Sequence, residues 1–166
     1  MSLLPDTSPI DDELVRAVVD QVWESLLGAE VLPWYGEGPV APAVLQAEVT
    51  LTGDWNGLVR IGCAQGAAEG IAAAMLMAGA DEVLAAEDVH DAVGEVVNVV
   101  GGNVKGALLG DTALGLPRIL TGPRTGDEVG PATAAAEPVS RCVLDWHGVP
   151  VTVEVFTREN EKECRS

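Results

Sequence analysis

The chain reads as an α+β domain, an antiparallel sheet built from hairpins with helices packed on one side. Three observations predict this. Two pairs of strand-like stretches, 44–52 with 58–63 and 139–146 with 149–157, are each joined by a short turn signal. Three other stretches carry apolar residues at helical spacing, the longest at 88–109. No strand–helix–strand crossover intervenes, so hairpins and helices point to α+β. One domain is expected over 10–157, with flexible tails at 1–9 and 158–166.

The bulk numbers narrow the function. A chain of 166 residues with 48% hydrophobic residues can bury a real core. Its formal charge of −17 repels phosphates and so argues against a nucleic acid or an anionic membrane as partner. The three cysteines, Cys63, Cys142 and Cys164, have no CxxC spacing, and the two histidines, His90 and His147, are far apart. No metal site or bound cofactor is therefore expected. The odd cysteine count and the lack of a signal-peptide pattern predict a cytoplasmic setting.

Each element has its own warrant. Ile10 to Leu27 reads as a helix with a stripe of Leu14, Val15, Val18, Val22 and Leu26. Asp11, Asp12 and Glu13 suit its positive end, and Gly28 stops it. Glu30 to Pro42 reads as a proline-rich loop, with Trp34 and Tyr35 expected to cap the core. Asn56-Gly57 is the turn signal of the first hairpin, because both residues tolerate positive φ. Gln65 to Gly79 is a helix with Ala68, Ile71, Ala72, Met75 and Leu76 inward. Leu114 to Leu120 is a short strand, where Pro117 marks an edge or a bulge. Thr121 to Glu137 is a long Gly, Pro, Thr and Ala-rich loop. The second hairpin turns near His147-Gly148, so Asp145 and His147 are turn neighbours rather than a catalytic dyad.

The stretch 88–109 organises the rest. On a helical wheel at about 100° per residue, Val89, Val93, Val96, Val97, Val100, Val104, Ala107 and Leu108 share one arc. His90 falls at its edge. Asp91, Glu95, Asn98, Gly102 and Lys105 share the opposite arc, with Gly94, Gly101 and Gly106 beside them. Asp88 is the expected N-cap. Glycine costs up to about 1 kcal/mol against Ala inside a helix. Glycines beside polar side chains therefore predict that another surface comes close.

Asp91-Ala92-Val93-Gly94-Glu95-Val96-Val97-Asn98, followed by Gly102-Asn103-Val104-Lys105, resembles the motif helix of the CheC/CheX/FliY family, phosphatases of the response regulator CheY and their relatives. The resemblance covers 10–157. One copy of the pattern, rather than two, is more similar to CheX than to CheC. Gly101-Gly102 departs from the bulkier pair often found there.

The resemblance implies a phosphatase acting on the phospho-aspartate of a CheY-like receiver domain. Asn98 would position the attacking water and Glu95 would pair with the receiver's lysine. Both lie three residues apart on one helix face. Asp91, Gly94, Gly102 and Lys105 would contact the partner, and Mg²⁺ would sit on the receiver rather than on this chain. A homodimer formed through the sheet is also implied. Two other classes stay open: a non-catalytic CheX-like module that binds a receiver as a signalling adaptor, and a structural assembly domain.

Overall fold

The computed structural model describes residues 9–36, 40, 43–79, 81–121 and 137–158. Most of the expected 121–137 loop, and the terminal segments 1–8 and 159–166, lie outside the described residues.

Helix α1 spans Asp12–Val22. The Asp11 carboxylate caps it by accepting from the Leu14 N–H at 2.8 Å, which satisfies a first-turn donor that has no helical partner. A single π turn, Trp23–Leu27, continues it to Gly28, whose φ of 63° ends the helix. The sequence predicts an unbroken α-helix here, with Leu26 inward. Leu26 is partly buried against the core, as expected, and Leu27 in the π turn is buried as well. Trp23 is fully buried and meets Trp146 edge-on, ring centroids 6.2 Å apart.

The seven strands among the described residues form one antiparallel sheet. They are β1 (Leu32–Pro33), β2 (Leu45–Gly53), β3 (Gly57–Cys63), β4 (Thr112–Leu114), β5 (Arg118–Thr121), β6 (Ser140–Trp146) and β7 (Val149–Thr157). Their order is β1-β6-β7-β3-β2-β4, with β5 also on β2. Register puts Leu45, Cys63, Val151 and Leu144 in one row, and Ala47, Ile61 and Val153 in the next. These rows line the face that packs against α1, α2 (Gln65–Leu76) and α3 (Ala86–Ala107) in a single core. The other face carries a ladder of alternating charge: Arg118, Glu48, Arg60, Glu154 and Arg141 on five neighbouring strands. Arg60 donates to Glu48 at 3.0 Å and lies over the Phe156 ring at 5.1 Å.

Several expectations change. β1 was unmarked in sequence: two residues pairing with β6 carry no period. Tyr35 is 83% exposed, so it caps nothing. Asn56-Gly57 is not a positive-φ pair. Instead Gly53 takes φ of 138°, and the Asn56 side-chain amide bonds both its N–H and its carbonyl. Gly57 serves a different need, since a Cβ there would meet the Trp55 ring and the Phe156 carbonyl. The expected His147-Gly148 turn does take positive φ at both residues. Helix α2 buries Ala67, Ala68, Ile71 and Ala72, but Leu76 points outward and Met77 ends the helix at φ of 52°.

Candidate functional site

Helix α3 begins earlier than its sequence predicts. Ala85 occupies the N-cap position with no side-chain hydrogen bond, and Asp88 falls in the first turn, where its charge suits the helix dipole. The inward arc matches the expected valines and adds Ala92, Gly94 and Gly101. Ala107 is exposed instead, because the helix ends there and leaves Leu108 extended, with φ of −87° and ψ of 145°.

The glycines explain how the helix is seated. A Cβ on Gly101 would lie 2.6 Å from the Val49 Cγ1 and 3.1 Å from the Leu114 Cδ1. Contacts that short cannot be kept, so Gly101 sets how closely α3 approaches β2. Gly94 is buried too, its Cβ position 3.4 Å from the Ile119 Cδ1 and 3.8 Å from the Pro117 Cβ. The expected partner contact at Gly94 is therefore corrected: the surface it meets is this chain's own 117–119 segment. Gly102 is partly buried, 3.9 Å from the Leu114 Cδ2 by the same construction.

Gly94, Asn98 and Gly102 are each four residues apart and form one ridge of the helix. A Cβ on Gly94 would meet Ile119 and Pro117, and one on Gly102 would meet Leu114. Asn98 lies between these two glycines on that row of the helix. It is partly buried and makes no side-chain hydrogen bond among the described residues. Glu95, one position over, is exposed and likewise unpaired among them, and Asp91 and Lys105 are exposed on the same side. The structure therefore brings Asp91, Glu95, Asn98, Gly102 and Lys105 onto one surface. Asn103, from the second half of the motif, turns back instead: its amide donates to the Val99 carbonyl at 2.8 Å.

Such a surface offers a carboxylate and an amide with free hydrogen-bonding capacity on a rigid helix. An amide can accept from a water while remaining neutral beside a phosphoryl group. Other polar features lie elsewhere. A cavity of about 580 Å³ opens beside the π turn, where Arg16 bonds the Val31 carbonyl at 2.8 Å and pairs with Asp20 at 2.9 Å, and no residue of α3 lines it. Burial pushes the Cys63 thiol up to about 12, which makes it a core group rather than a nucleophile. Cys142 is raised in the same direction by the same cause. No group of three or more His, Cys, Asp or Glu among the described residues is placed to hold a metal ion. No helix among them is long and apolar enough to cross a membrane.

Sequence comparison decides the family. The model described as "Chemotaxis phosphatase CheX" matches residues 45–128, just over half of the chain, and spans the whole of α3. The chain belongs to the CheX family. Solved structures agree on the fold. CheX of Vibrio vulnificus is similar with a TM-score of 0.70 at 18% identity, over 92% of this chain and 100% of the other. CheX of Desulfovibrio desulfuricans gives 0.67 at 20%, over 88% and 97%. CheX of Borrelia burgdorferi, solved as a complex with CheY, BeF3 and Mg, gives 0.68 at 18%, over 92% and 100%. No curated protein matches the chain in sequence.

Proposed function

We propose that this CheX-family domain accelerates hydrolysis of the phospho-aspartate of a CheY-like response regulator. The observation that carries the reading is the free Glu95 and Asn98 pair, three residues apart on the accessible side of α3 in a CheX fold. A relative of the same fold has been solved bound to CheY, which supports a receiver domain as the partner class.

The chemistry asks little of this chain. An acyl phosphate already hydrolyses in water, and the receiver would bring Mg²⁺ and a lysine that neutralise the phosphoryl oxygens. The Asn98 carbonyl oxygen accepts a hydrogen bond from a water and holds it in line with the P–O bond to the aspartate. As the water oxygen bonds to phosphorus, that P–O bond breaks and the aspartate leaves as a carboxylate. The water's proton passes to phosphate or solvent. Glu95 pairs with the receiver's lysine and fixes the register of the two proteins. Asp91 and Lys105 flank this contact, and Gly102 keeps the ridge low there. A hundredfold acceleration corresponds to about 2.7 kcal/mol, within reach of one positioned water.

The test follows phosphorylated receivers from the same organism with and without the wild-type protein. Faster decay for at least one receiver is expected. Tight binding with unchanged decay would replace this reading with a signalling adaptor, and no binding to any receiver would remove both.

A further inference from the structure

The turn between β2 and β3 is held by one side chain. The Asn56 Oδ1 accepts from the Gly53 N–H at 3.1 Å, and the Asn56 Nδ2 donates to the Gly53 carbonyl at 3.0 Å. Among side chains this short, only an amide carries a donor and an acceptor on separate atoms. The next residue has no more freedom. A Cβ on Gly57 would run into the Trp55 ring and the Phe156 carbonyl. The turn therefore demands an asparagine followed by a glycine.

That pair is chemically labile. In an open chain the Gly57 backbone nitrogen can attack the Asn56 Cγ, with no side chain of its own in the way. The new N–Cγ bond closes a five-membered succinimide, and the Cγ–Nδ2 bond breaks. The leaving nitrogen takes the Gly57 amide proton and departs as ammonia. Water then opens the ring. Opening at Cγ gives aspartate, and opening at the backbone carbonyl gives isoaspartate, which runs the main chain through the former side chain.

The native hairpin opposes this attack. Both polar atoms of the amide are engaged on Gly53, and the Asn56 carbonyl accepts from the Arg158 N–H at 2.9 Å. Gly57 is buried and pairs with Leu51 on one side and Thr157 on the other. Ring closure needs the side chain to swing back and the Asn56–Gly57 peptide to rotate, so these bonds must open first.

We propose that Asn56 is a deamidation site that the native hairpin keeps closed and that reacts only when β2 and β3 come apart. The product cannot rebuild the turn. An aspartate at 56 has no donor for the Gly53 carbonyl and adds a negative charge two residues from Asp54. The same turn braces the segment that follows α3. There the Asp54 N–H donates to the Asp111 carbonyl at 2.9 Å, and the Asp54 carboxylate accepts from the Asp111 N–H at 2.7 Å. A molecule that has once opened here is thus left with a weaker hairpin.

The test incubates the full chain in mildly alkaline buffer, native and in denaturant. Peptide mass spectrometry then reads the exchange of amide for acid at Asn56. Asn98 and Asn103, each followed by valine, are internal controls. In denaturant Asn56 is expected to convert well ahead of both. In the native protein it converts at least about tenfold more slowly, because the opened fraction sets the rate. Equal rates in the two states would overturn the closed hairpin, and no lead over the controls in denaturant would overturn the site. Asn56→Asp, the product made directly, should lower the thermal midpoint by about 3–6 °C, the scale of a carbonyl left without its donor. An unchanged midpoint would overturn the role given to the amide.

Discussion

Along its inward side, α3 sets Val89, Val93, Val96, Val97, Val100 and Val104 against the sheet and the other helices. Along its outward side it sets Asp91, Glu95, Asn98 and Lys105, with neither Glu95 nor Asn98 bonded among the described residues. β-branched residues are poor helix formers, and tertiary burial compensates for them on the first side. No such compensation acts on the second, where side chains with free donors and acceptors face solvent. Glycine divides along the same line. Gly94 and Gly101 are packed against 117–119 and Val49, whereas Gly106 has nothing within contact distance. The inward residues are answerable to the fold, and the outward ones to whatever docks.

That contrast can be broken by substitutions that cross it. Gly101→Ala carries the largest expected effect on stability. Alanine is the better helix former, yet its methyl would stand against Val49, so the protein should lose about 2 kcal/mol in denaturant unfolding. Unchanged or higher stability would show that the seating of α3 on β2 is looser than described.

Glu95→Gln comes next. It removes a charge without changing shape, so the thermal midpoint should hold while receiver binding weakens about tenfold. Binding by the wild type should also weaken with added salt more steeply than binding by the variant, because only the wild type has the ion pair to screen. Equal salt slopes would place Glu95 outside the contact.

The smallest effect is at Gly106→Ala. With open space around it, the methyl meets nothing, and the helix should gain about 0.5 kcal/mol through its better propensity. A loss there would mean that the end of α3 is under constraints not visible in its packing.

Much of this was legible before any coordinates. The valine arc, the Glu95–Asn98 spacing, both hairpins and the Pro117 irregularity follow from period and turn chemistry, and the structure has each of them. The misses share a cause: they depend on what lies across space. Gly94 looked like part of an accessible rim because a helical wheel does not show that β5 packs beside it. The burial of Leu27 next to Leu26 comes with a π turn, which leaves no period to read. β1 is too short for any alternation and exists through its pairing with β6.

The most direct measurement is the decay of a phosphorylated receiver that the wild-type protein dephosphorylates, followed with Asn98→Ala at concentrations that saturate binding. Saturation removes affinity from the comparison, and the partly exposed, unbonded amide makes a folding defect unexpected. The account predicts decay at the rate of the receiver alone, a loss of about 100-fold acceleration if the amide supplies the whole effect. Acceleration retained by Asn98→Ala would contradict it and move the chemistry off this ridge of α3.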